Sequence, residues 1–67
     1  MQFLIQGDRG VWVEYLQLAL TRAGHPTRID GIFGERTCQA LKDFTGNTDV
    51  CTVNREVWEK LNPYLTG

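Results

Sequence analysis

The sequence predicts an all-α fold, a small three-helix bundle with short connecting loops, occupying residues 1–67 as a single domain. Three observations predict it. The 67 residues can enclose one core and no more. A composition of 42% hydrophobic, 10% aromatic and 22% charged residues is that of a globular chain rather than a disordered one. Apolar residues recur at helical spacing in three segments separated by turn formers.

The first helix is expected between Gly10 and Gly24. Val13, Leu16, Leu20 and Ala23 form one stripe, and Trp12, Tyr15 and Ala19 a second beside it, so this helix should be the most buried. Asp8 is the expected N-cap, and Gly24 followed by His25-Pro26 the stop. His25 there sits favourably at the negative end of the helix dipole. The second helix starts near Gly34, carries Thr37, Ala40, Leu41 and Phe44 on one face, and ends at Gly46. The third runs from about Asn54 to Leu61, with Val53, Val57, Trp58, Leu61 and Tyr64 apolar and Pro63 discouraging continuation. Phe3-Leu4-Ile5 is too short to distinguish an extended lead-in from a helical turn and is read as a lid on the core.

Charge and length exclude several classes of function. Seven Lys and Arg against eight Asp and Glu give a net charge of -1 without runs of like charge, so nucleic-acid or anionic-membrane binding by bulk electrostatics is disfavoured. No apolar run resembles the roughly 20 residues that a membrane span needs. The start, Met1-Gln2-Phe3-Leu4-Ile5-Gln6-Gly7, lacks the features of a secretory signal, which fits either a cytoplasmic product or a fragment cut from a longer chain. Cys38 and Cys51 permit one disulfide without demanding it; two free, partly buried thiols are expected. With His25 the only other soft ligand, neither a metal nor a cofactor is expected.

The second and third segments read as a degraded internal repeat at a shift of twenty positions. Ile32-Phe33-Gly34-Glu35-Arg36-Thr37 and Leu41 lie over Thr52-Val53-Asn54-Arg55-Glu56-Val57 and Leu61, while Asp30-Gly31 faces Val50-Cys51. Whatever Asp-Gly does in the first copy is lost from the second.

Gly10, Val13, Leu16-Gln17 and Leu20, then Gly24, then Asp30-Gly31-Ile32-Phe33-Gly34, Thr37, Ala40-Leu41 and Phe44, and finally Trp58 and Leu61 form a long ordered pattern. It resembles the type-1 peptidoglycan-binding domain family, three-helix modules that tether cell-wall hydrolases to their polymer, over roughly residues 7–61. The chain departs from the family pattern at Thr45, Val50-Cys51, Asn54 and Val57, so the resemblance implies ligand contacts from the first Asp-Gly copy rather than from the third helix. It implies a monomeric, noncatalytic module at the cell wall or outside the cell, part of a bacterial or phage amidase, peptidase, lytic enzyme or endolysin. Its partners would be peptidoglycan or muropeptides and a catalytic domain in the parent chain.

The expected site is Asp30, Gly31, Phe33, Gly34, Arg36 and Thr37, with Tyr15 from the first helix. Gly31 and Gly34 permit tight turns that leave amides free at a helix N-terminus, which favours the carboxylates of peptide stems. Asp30 is suited to accept hydrogen bonds from sugar hydroxyls or amides, Arg36 to pair with a stem carboxylate, and Phe33 to offer an apolar edge. The Thr37 hydroxyl lies one turn inside the helix. Each also has a structural role: Asp30 as an Asx turn and helix cap, Phe33 as core, Thr37 bonded within its helix, Arg36 as a solvated charge. Gln17 is expected to hydrogen-bond a loop backbone. Trp12, Tyr15 and Trp58 are read chiefly as burial, with Tyr15 the aromatic best suited to touch a ligand. Asp30 and Glu35 do not make a glycosidase pair, because so small a core lacks room for the cleft. The alternative function is a helical protein-interaction or autoinhibitory propeptide-like module of a metalloprotease, although no Pro-Arg-Cys-Gly-type switch is present and Cys38 falls inside a helix. A retained fold without a ligand is the third reading.

Overall fold

A computed structural model describes residues 3–46 and 51–66. Met1 and Gln2 of the leading segment, and Val50, which aligns with Asp30 in the repeat, lie outside the described residues. The elements follow in the order β1 (Leu4–Ile5), α1 (Val11–Arg22), α2 (Glu35–Thr45), β2 (Thr52–Val53) and α3 (Arg55–Thr66). The protein is the expected three-helix domain with a small sheet added: β1 and β2 pair antiparallel, Leu4 opposite Val53 and Ile5 opposite Thr52.

The core follows the first apolar stripe of α1. Of the second only Ala19 is buried, and Trp12 and Tyr15 stay exposed, so those two rings do not serve burial as expected. Val13, Leu16, Ala19 and Leu20 of α1 meet Cys38, Ala40 and Leu41 of α2, Trp58 and Leu61 of α3, and Leu4, Phe33 and Val53 from the extended segments. As expected, α1 contributes the most buried residues. The lid is narrower than Phe3-Leu4-Ile5, since alternation along a strand sends only Leu4 inward and leaves Phe3 and Ile5 exposed.

Three local expectations change. Gly10, not Asp8, caps α1; the Asp8 carboxylate instead accepts the Ile5 N–H at 2.9 Å and closes the turn after β1. The chain leaves α1 as expected around Gly24, with the Gly24 and His25 amides donating back to the Thr21 and Leu20 carbonyls. Pro63 does not end α3, which runs on to Thr66. Continuing brings the half-buried Leu65 onto the core one turn beyond Leu61, and the Arg22 guanidinium donates to the Tyr64 carbonyl at 3.0 Å. These contacts offset the hydrogen bond that proline cannot make. The cysteines are not free: Cys38 and Cys51, with Cα atoms 5.3 Å apart, form a disulfide joining α2 to the segment entering β2.

The repeat is visible as geometry. In each copy an extended residue pairs with the N-terminal segment, Ile32 opposite Arg9 and Thr52 opposite Ile5. A buried residue follows, Phe33 or Val53. The helix then opens with the same bond, Cys38 N–H to the Gly34 carbonyl and Trp58 N–H to the Asn54 carbonyl, each at 3.0 Å. Where glycine stands in the first copy, the Asn54 side chain caps α3 by accepting the Val57 N–H at 3.0 Å.

Candidate functional site

The loop between α1 and α2 is organised by one buried amide. Gln17 is fully buried on the face of α1 that meets this loop. Its Oε1 accepts the Gly31 N–H at 2.9 Å. Its Nε2 donates toward Asp30 Oδ1 at 2.9 Å and toward the Ile32 carbonyl and Thr37 Oγ1, each at 3.0 Å. One turn further along, the Thr21 hydroxyl donates to the Gln17 carbonyl at 2.8 Å, lies 3.3 Å from the Thr27 carbonyl and accepts the Thr27 N–H at 3.4 Å. A buried side chain thus supplies the partners that an irregular backbone must otherwise find in water.

Asp30 closes an Asx turn by accepting the Ile32 N–H at 3.0 Å, but it does not cap α2, whose N-cap is Gly34. The hydrogen bond from Gln17, then that from the Ile32 N–H, hold the Asp30 carboxyl below its ordinary value of 3.8, with a lesser contribution from the Arg28 charge. Gly31 needs its lack of a side chain: φ is +73°, and a Cβ would sit 3.2 Å from Glu14 Cγ and 3.4 Å from the Gly10 carbonyl oxygen.

The expected residues divide into three groups. Asp30, Gly34, Arg36 and Thr37 come together around an open groove of about 330 Å³, joined there by Thr27 and Arg28. Gly31 and Phe33 support it from within. Gly31 is buried with its N–H committed to Gln17, and Phe33 is core, so it offers no apolar edge to a ligand. Thr37 is also buried, its hydroxyl oxygen bonded by Gln17 rather than by its own helix. Tyr15 is separated from the group. Two residues from Gln17 on a helix is a rotation of about 200°, and its ring instead lies 5.7 Å from that of Trp12, which meets Trp58 edge-on at 6.0 Å.

Sequence reasoning missed Thr21, Thr27 and Arg28. The spacing of Gln17 and Thr21, two polar residues one turn apart on an apolar helix, is the signal that exposes the first. Arg28 has no local signal, because its neighbourhood is set by how the loop folds back over α2. Among the described residues Arg28 and Arg36 form no ion pair; the pair present joins the exposed Arg55 and Glu59 at 3.4 Å. No three His, Cys, Asp or Glu side chains converge to hold a metal ion among the described residues. The cysteine on which an inhibitory zinc switch would depend is closed in the disulfide. No helix among the described residues is long and apolar enough to cross a membrane.

Compared with protein-family models and with curated proteins, the sequence matches none.

Proposed function

We propose that this chain is a noncatalytic module that binds peptidoglycan and delivers an associated cell-wall hydrolase, amidase, peptidase or endolysin to its polymer. One observation carries the reading: Asp30, Gly34, Arg36 and Thr37, the polar and turn residues of the Asp-Gly motif, line one groove, and a fully buried glutamine fixes its wall. A wall held in one conformation loses little entropy on binding, which suits a shallow site for a repetitive polymer. Many weak sites acting together then raise the local concentration of the enzyme carried. The groove supplies a carboxylate acceptor at Asp30 and guanidinium donors at Arg28 and Arg36, complementary to the hydroxyls, amides and carboxylates of glycan and peptide stems. The Cys38–Cys51 bridge fits a protein that works in an oxidising exterior.

Sedimentation with insoluble peptidoglycan tests the reading. The chain is expected to be retained above the level of an unrelated three-helix protein, with retention reduced by Arg36→Gln. Retention equal to the control excludes it.

A further inference from the structure

The groove at Asp30 does not end at Arg36. Thr27, Arg28 and Arg36 also line a second, larger groove of about 670 Å³, which continues along α2 past Gln39 to Asp43 and is lined by His25 as well. No motif pointed to it. Arg36, Gln39 and Asp43 stand at i, i+3 and i+7 on α2, hence on one face. Its charges are ordered along its length: among the described residues, two guanidiniums without ion pairs stand at one end, and at the other the Asp43 carboxylate accepts a hydrogen bond from the neutral Gln39 amide at 3.2 Å and forms no ion pair.

We propose that this second groove binds a short peptide lengthwise, its carboxylate held by Arg28 and Arg36 and a free amino group held by Asp43. The inference rests on the peptidoglycan reading and deepens it, because it assigns recognition to the peptide stem rather than to the glycan. The spacing supports a peptide. Seven residues of helix, at about 1.5 Å each, separate Arg36 from Asp43 by about 10 Å along the axis, a distance that a short extended peptide carrying both a carboxylate and a side-chain amine can span. Charge order supports it too. A neutral glycan uses neither end of such a groove, whereas a peptide carrying both an acid and an amine meets an opposite charge at each. The planar guanidiniums suit the two oxygens of a carboxylate, and the single carboxylate suits an ammonium. Pro26 and Ala40 add small apolar side chains to the groove's lining, against which a peptide backbone can lie.

Amide-shift titration of the labelled chain tests the proposal with the N-terminally acetylated tetrapeptide L-Ala-γ-D-Glu-L-Lys-D-Ala, whose lysine then carries its one free amine, the same peptide with its C-terminus amidated, the same peptide with its lysine acetylated, and chitotetraose. Shifts from the first tetrapeptide are expected at His25, Arg28, Arg36, Gln39 and Asp43. C-terminal amidation and Arg36→Gln should each weaken binding about tenfold, the loss of one charge-assisted contact. Lysine acetylation should weaken binding to the unmodified chain and leave binding to Asp43→Asn unchanged. All the substituted side chains are exposed, so the spectrum away from the groove serves as the folding control. Shifts from chitotetraose without shifts from the tetrapeptide, or equal affinity for the three peptides, overturn the proposal. Sedimentation on insoluble peptidoglycan separates the two readings: retention without tetrapeptide binding removes the groove assignment alone, and loss of both removes the peptidoglycan reading with it.

Discussion

The side-chain amide of Gln17 donates to the carboxylate of Asp30 at 2.9 Å, joining the middle of α1 to the loop that precedes α2. The same amide group reaches the Ile32 carbonyl and the Thr37 hydroxyl, and its oxygen takes the Gly31 N–H. One glutamine therefore orders both the loop before α2 and its approach to the core.

Gln17→Leu fills the same space but leaves the Gly31 N–H and the Ile32 carbonyl without their partner. Destabilisation of about 2–4 kcal/mol is expected, most of it from those unmet groups. In a domain of this size each kcal/mol moves the midpoint by roughly 4–8 °C, so thermal unfolding reads it directly. An unchanged midpoint would show that the loop holds itself.

Acid should act through Asp30. Its folded-state pKa lies below the ordinary 3.8, so its contribution is fully present above the unfolded value and is lost as pH falls through the folded one. The stability difference between the protein and Asp30→Asn should thus be level at neutral pH and shrink below about pH 4. Urea midpoints taken across that range test this, and a difference that grows on acidification contradicts the assigned direction.

Reduction of the disulfide should cost about 3 kcal/mol, the loop-entropy value for a closed loop of this order; the two cysteines are 13 positions apart. Unfolding with and without reductant, with Cys38→Ala/Cys51→Ala for comparison, measures the effect. Thiol titration under native and denaturing conditions should find none before reduction.

Among the described residues Thr27 Oγ1 is buried with no hydrogen-bond partner. Thr27→Val replaces that hydroxyl by a methyl group of similar shape, so a gain of up to about 1 kcal/mol is expected where most substitutions lose stability. A loss of stability on this substitution would mean that the hydroxyl is satisfied in solution.

The sequence by itself determined the three helices, because apolar spacing and the residues that start and stop a helix act within a few positions of one another. It determined most of the core for the same reason, and it marked Gln17 as a residue that bonds a loop backbone, since a buried amide beside a leucine on such a helix needs a partner. The repeat foretold that Phe33 and Val53 would enter their helices alike. Tertiary structure alone decided the rest. The sheet exists because β1 and β2, nearly fifty residues apart, are brought together by the helices between them, and the disulfide closes because α2 and the entry to β2 return to within bonding distance. Tyr15 is lost from the site because a helix rotates it to the far side from Gln17. Arg36 and Asp43 share a face of α2 by helical spacing, but Arg28 joins them because the loop folds back along that helix, and a groove between loop and helix is a relation that no local spacing records.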